Sequence, residues 1–266
     1  MNFLIYLVIF IVLLVVSVRY IEKRSLFFPM KEVTSDPGSV GLPYEEIYFD
    51  TIDNKRLNGW FISNHDARFT VIFSHGNAGN IAHRLSKLCV LYDLGLSIFV
   101  YDYRGFGKSE GSPSEAGLYK DVRAAYNYLT KERNIPKENI ILYGESLGGA
   151  VTIDLAREIA PRAFITEEAF TSIRDMAKIA YPGMPHFVFS SRFNGASKIK
   201  DIDCPKLIIH SIDDEIVFYR LGEKLFNEAK PPKEFLQIRG THTTAFMDSN
   251  ERFKQGLGSF LDGLKK

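Results

Sequence analysis

Cysteine is nearly missing from this chain. Only Cys89 and Cys204 occur in 266 residues, far apart and without metal-ligand spacing. That excludes a disulfide framework and a cysteine-based zinc site, and leaves two free thiols as the expected state. Neither charge sign dominates: 33 Lys and Arg face 32 Asp and Glu, a formal charge of +1. With no dense basic run either, there is no field to gather nucleic acid, which is excluded as a partner class. The chain also lacks internal repeats and low-complexity tracts, which sets aside solenoids and disordered tails. What it has is apolar material, 45% of residues with 13% aromatic, enough for one sizeable core.

Residues 3–18 (FLIYLVIFIVLLVVSV) carry no charge and are followed by Arg19, Lys23 and Arg24. A cleaved signal peptide would want a basic start and a small-residue cleavage site, and neither is present. A core helix would show a polar stripe. The expectation is an uncleaved transmembrane anchor over residues 1–21, a linker over 22–41 and a folded domain over 42–266. The basic cluster follows the span, so the positive-inside tendency puts the domain on the cytoplasmic side of a membrane.

Within the domain, residues 44–50 and 57–62 are strand-like and flank the turn-forming Ile52-Asp53-Asn54-Lys55, which predicts an antiparallel hairpin. Six further apolar runs follow, at residues 70–73, 97–101, 139–143, 163–166, 206–210 and 234–238. Continuous apolar strands are buried on both faces, the pattern of a parallel sheet covered by helices. Stretches 81–94, 114–130, 147–160, 220–229 and 250–264 have helical spacing. The expected fold is α/β, a doubly wound, mostly parallel eight-stranded sheet. Residues 171–200 break the alternation, and residues 181–189 are rich in aromatics. A segment that long without a clear period predicts a small lid.

Gly144-Glu145-Ser146-Leu147-Gly148 lies between a predicted strand and a predicted helix. A sharp strand-to-helix turn would expose the Ser146 hydroxyl, with glycines where neighbouring backbone must pass closely. A serine hydroxyl is a weak nucleophile and needs a base held by a third group. Of six histidines, only His242 falls in the loop after the last apolar strand, at the carboxyl edge where sites of open parallel sheets lie. The acid is expected in Asp213-Asp214-Glu215, which gives the chain order Ser, Asp, His. The oxyanion donors are expected to be the backbone N–H groups of Leu147 and Asn77, the latter in the glycine-bearing loop of residues 75–80. No Lys-Ser/Thr pair follows the glycines of that loop, which weakens a phosphate-binding reading.

His75-Gly76-Asn77-Ala78-Gly79-Asn80, Asp102-Tyr103-Arg104-Gly105-Phe106-Gly107-Lys108-Ser109-Glu110-Gly111 and Tyr143-Gly144-Glu145-Ser146-Leu147-Gly148-Gly149-Ala150 together resemble the α/β-hydrolase superfamily. The resemblance runs from Tyr44 to the end and is nearest to a short-lid, amino-terminally anchored branch grouped with serine aminopeptidase-like hydrolases. It implies a His-Gly-x-x-Asp-x-x-Val pattern that selects Asp214, in register with Val217. Ser211 stands where that pattern has glycine, and Thr243 follows the histidine in place of a more polar or acidic residue. Ser-His-Asp chemistry implies acyl transfer to water through an acyl-enzyme, and the expected anchor and the aromatics of residues 181–189 point to an ester or thioester on a small or lipid-like substrate near a membrane, without metal or cofactor. Two other readings stay open: an aminopeptidase using Glu167 and Glu168 to bind an ammonium, and a non-catalytic hydrolase-fold interaction module.

Overall fold

The computed structural model describes residues 2–180, 182 and 191–264. The aromatic run at 181–189, Pro182 apart, and with it His186, lies outside the described residues. Eight strands form the main sheet: β1 Glu45–Asp50, β2 Arg56–Ile62, β3 Phe69–Ser74, β4 Leu96–Tyr101, β5 Ile140–Glu145, β6 Ala163–Glu167, β7 Lys206–Ser211 and β8 Lys233–Ile238. Their spatial order is β8-β7-β6-β5-β3-β4-β2-β1. β2 runs antiparallel to both β1 and β4, and every other neighbouring pair is parallel. The predicted hairpin is the β1–β2 pair, with Asp50 opposite Arg56 across the turn.

Side chains alternate across this sheet with the strand period of two. Along β5, Ile140 and Leu142 join one core layer, while Ile141 and Tyr143 join the other. Helices α3 (Glu115–Asn127), α4 (Leu147–Ile159) and α6 (Tyr219–Glu228) cover the first layer. Helices α2 (Leu85–Asp93) and α7 (Asn250–Gly263) cover the second. Each fully buried Leu or Ile here contributes roughly 1.5–3 kcal/mol of transfer free energy, so the two-sided burial carries the sheet. Both cysteines are free thiols.

The amino-terminal expectation needs correction. Helix α1 spans Asn2–Leu26, yet among the described residues no helix is long and apolar enough to cross a membrane. The uncharged run of residues 3–18 rises only about 24 Å at 1.5 Å per residue, against a hydrocarbon core of about 30 Å. The same helix continues through Arg19, Glu22, Lys23 and Arg24 to Leu26, which packs against the core of the domain. The single-pass anchor with a cytoplasmic catalytic domain is therefore not retained.

Beyond α1 the chain is stitched to the domain. Phe28–Pro29 pairs in parallel with Ala78–Gly79, Met30 N–H donates to Gly79 O at 3.0 Å, and Gly107 N–H donates to Met30 O at 2.9 Å. Phe27 is buried, with its ring 6.3 Å from that of Phe193.

One ionic element lies deep between α2 and the sheet. Lys87, 2% exposed, donates to both carboxylate oxygens of Glu167, which also accepts from the Tyr143 hydroxyl. The Lys87 ammonium lies 3.6 Å from the ring centroid of Phe246. Removing one partner of such a buried pair leaves an uncompensated charge. Lys87→Met is expected to lower stability by about 3–5 kcal/mol in urea unfolding, with Lys87→Met/Glu167→Gln recovering part of the loss.

Candidate active site

The sheet reverses its strand order around β3, with β4 on one side and β5 on the other, and sites in such folds sit at the carboxyl ends of the strands beside that point. Ser146 lies there, between β5 and α4, at φ 52 and ψ −114. That left-handed conformation costs a residue bearing a Cβ about 1–3 kcal/mol. Contacts on every side impose it. Ser146 N–H donates to Glu167 O at 2.8 Å and its carbonyl accepts from Gly149 N–H at 3.0 Å. A Cβ on Gly148 would stand 1.9 Å from Ser74 O, one on Gly144 would stand 2.3 Å from Gly148 O, and one on Gly149 would stand 2.4 Å from the Ala169 Cβ. The glycines are needed because α4 begins pressed against β3, β5 and the segment after β6.

His242 arrives from the loop after β8. Its Nε2 lies 3.1 Å from Ser146 Oγ and its Nδ1 lies 2.7 Å from Asp214 Oδ2. With the ring proton on Nδ1, the imidazole donates to Asp214 and accepts from the Ser146 hydroxyl. The three neighbouring acids divide the work. Asp214 Oδ1 accepts from the N–H groups of Ile216 at 2.9 Å and Val217 at 2.7 Å. Asp213 accepts from Gly240 N–H at 3.3 Å, and Glu215 from His242 N–H at 3.1 Å, so both hold the histidine loop by its backbone. Ser211 joins the same two loops: its hydroxyl donates to Gly240 O at 2.6 Å and accepts from Asp213 N–H at 3.1 Å.

Burial alone would raise the Asp214 carboxyl, but the hydrogen bond from His242 outweighs it and holds Asp214 below the usual carboxylate range. His210 is buried behind it; desolvation pushes its pKa down, and its Nε2–H donates to Val217 O at 2.7 Å. His83 Nδ1 accepts from Asn80 N–H at 3.2 Å, a local cap. His75 is buried, with Nδ1–H donating to Gly76 O at 2.7 Å and Nε2 3.5 Å from Asp102 Oδ1.

Asn77 and Leu147, the expected oxyanion donors, line one cavity together with Ser146 and His242. The loop that carries Asn77 is fastened by the segment after α1. Asn77 O accepts from Phe28 N–H at 2.9 Å, and Asn77 Nδ2 donates to Leu26 O at 3.2 Å. Asn80 Nδ2 donates to Met30 O at 3.2 Å and Glu32 O at 2.7 Å. The expected linker is thus a strap across the loop.

Two cavities meet at Ser146, Asn77 and His242. The first, of about 400 Å³, is largely apolar, walled by Leu26 at the end of α1, Phe28 from the strap, Phe170, Met176 of α5 (Ile173–Ala180), and Val217. The second, of about 300 Å³, carries Arg84, Lys87, Glu145, Glu167 and Thr243. Reading the sequence missed the strap residues and Phe170, because nothing in their local pattern marks them as facing Ser146. The alternative aminopeptidase reading would have Glu167 and Glu168 bind an ammonium, whereas Glu167 is consumed by Lys87 and Tyr143, and Glu168 faces Asp214.

A parallel sheet with one antiparallel strand near its edge and a strained serine at the β5–α4 turn define an α/β hydrolase. The chain belongs to the α/β-hydrolase superfamily. A family model described as serine aminopeptidase, S33, matches residues 65–192. The uncharacterized protein YfhR of Escherichia coli K12 is 33% identical over 271 residues, covering 96% of this chain and 93% of that protein. The alpha/beta hydrolase domain-containing protein WAV2 of Arabidopsis thaliana is 36% identical over 269 residues, covering 91% and 87%. Among solved structures, the Pyrococcus furiosus esterase Pf2001 superposes with a TM-score of 0.76 at 21% identity, over 89% of this chain and 98% of the esterase. At that identity the likeness is one of fold.

The Gly148 contact gives a direct test of the turn. Gly148→Ala is expected to destabilise the fold by about 1–3 kcal/mol through overpacking, read by thermal unfolding. An unchanged midpoint would mean that α4 does not press on Ser74 as described.

Proposed function

We propose that the protein is a serine hydrolase that cleaves acyl esters or thioesters, with Ser146 as nucleophile, His242 as general base and Asp214 as the group that orients it. The observation that carries this reading is the 3.1 Å approach of Ser146 Oγ to His242 Nε2 at the mouth of an apolar cavity. In the first half-reaction the hydroxyl proton moves to Nε2 while Oγ attacks the substrate carbonyl. The resulting oxyanion takes hydrogen bonds from the N–H groups of Leu147 and Asn77, at the amino-terminal end of α4 where the helix dipole adds partial positive charge. The imidazolium then protonates the leaving alcohol or thiol. Water, deprotonated by the same imidazole, releases the acid from Ser146.

The cavity favours esters over peptides. Leu26, Phe28, Phe170, Met176 and Val217 suit an alkyl chain, and the carboxylates that an aminopeptidase would turn toward a substrate ammonium are engaged inside the fold. The acyl chain is assigned to the first cavity and the leaving group to the second, which carries the charged side chains.

A fluorophosphonate probe is expected to label the folded protein and to lose that labelling in Ser146→Ala. Absence of labelling in the folded wild type would favour a non-catalytic interaction module.

p-Nitrophenyl esters of increasing chain length, assayed beside aminoacyl anilides, should be hydrolysed in preference to the anilides. Met176→Trp, which adds more bulk than a single methylene, is expected to lower kcat/KM for the longer esters by at least about 10-fold, and far less for the acetate. Anilides turned over faster than every ester would establish the peptidase reading instead.

A further inference from the structure

Glu168 follows β6, is 1% exposed and sits at φ 53, a conformation unfavourable for a residue with a Cβ. Its N–H donates to Ile209 O at 3.0 Å, which seats it against β7. Its Oε1 accepts from Ser211 N–H at 3.2 Å. Its Oε2 has no donor among the described residues and lies 3.8 Å from His242 Nδ1. Ligand-type atoms of Glu168, Asp214 and His242 all fall within 4.8 Å of one another. A buried carboxyl has been forced, at a backbone cost, against the proposed base and the group that orients it.

We propose that Glu168 is a positioning residue for hydrolysis, a neutral carboxylic acid whose Oε2–H donates to Asp214 Oδ2 and locks the carboxylate that holds His242.

The valences of Asp214 support this. A carboxylate offers about four acceptor sites. Ile216 N–H and Val217 N–H occupy those on Oδ1, and His242 Nδ1–H takes one on Oδ2. A proton on Glu168 fills the fourth. The charges around Glu168 point the same way. Asp214 and His242 face it from the loops after β7 and β8. Glu167 lies beside it in the chain, but the Lys87 ammonium from α2 and the Tyr143 hydroxyl from β5 are already given to Glu167. His210 on β7 spends its Nε2–H on Val217 O. An ionised Glu168 would therefore be a second buried anion sharing one imidazole with Asp214. Burial, and then the Asp214 carboxylate, push Glu168 far above the usual carboxylate range. In return the acid holds Asp214 ionised, so that it orients His242 without taking its proton.

The proposal rests on the Ser146–His242–Asp214 reading, so its test combines a catalytic and a non-catalytic measurement on the full chain. Glu168→Ala is expected to lower kcat for a p-nitrophenyl ester by roughly 10–100-fold, the worth of a hydrogen bond to a charged group, with little change in KM. Glu168→Gln should recover most of that loss, since its amide can donate to Asp214 while its carbonyl accepts from Ser211 N–H. It should also leave the ascending limb of the kcat/KM pH profile in place. An ionised Glu168 would instead hold the imidazolium more tightly, and its neutralisation would move that limb about a unit or more toward acid. That shift, or equal losses in the two variants, or no loss in Glu168→Ala, overturns the proposal. Should the alanine variant fail to fold, the glutamine variant still decides through its thermal midpoint. A carboxyl raised above its ordinary value of 4.5 stabilises the fold most fully below that value and loses the contribution as pH rises toward its folded pKa. Glutamine has no proton to take up, so its midpoint should gain on the wild type from pH 5 to pH 9. A constant difference overturns the proposal whatever the kinetics. If Ser146→Ala still hydrolyses ester, the hydrolase reading fails, while the thermal series still reports the proton on Glu168.

Discussion

The amino terminus of α4 is pressed against the sheet so closely that nothing larger than glycine fits between them. Gly148 faces the carbonyl of Ser74 at the end of β3, and Gly144 faces Gly148 across the turn. This contact leaves Ser146 no extended or right-handed alternative, and it sets the helix end beneath the serine oxygen. The parallel β3–β5 register, with Ser74 opposite Gly144, fixes where the contact falls. Burial on both faces of the sheet supplies the free energy that the strained turn consumes.

Around that turn, rigidity comes from many modest bonds rather than one strong one. The loop bearing Asn77 is held from outside by the strap that follows α1, through main-chain bonds and the side chains of Asn77 and Asn80. The histidine loop is held from below by Asp213, Glu215 and Ser211. Phe28 and Met30 of the strap also line the two cavities, so the piece that steadies the loop shapes both sides of the serine.

Reading the sequence located the strands well because continuous apolar runs such as residues 139–143 report two-sided burial directly. It located Ser146 because a sharp turn between strand and helix demands glycine at set offsets. It misjudged the amino-terminal segment by letting flanking residues and bilayer thinning make up for a short run: the uncharged stretch stops short of a bilayer, and the helix carries on through charged residues to Leu26. Glu167 and Glu168 were candidates to bind an ammonium under the aminopeptidase reading. One is neutralised by a lysine eighty positions away in sequence, and the other meets the aspartate after β7. No local pattern encodes either partner.

The chain alone determined the order of strands and helices, the bend at Ser146 and the free state of its cysteines. These follow from periodicity, glycine placement and composition, all readable within a short window. Tertiary structure decided which of three consecutive acids reaches His242, which residues wall each cavity and what each buried carboxyl faces. The reason is geometric: these neighbours come from separate strands and loops, and their adjacency exists only once the sheet register and the crossings over it are set.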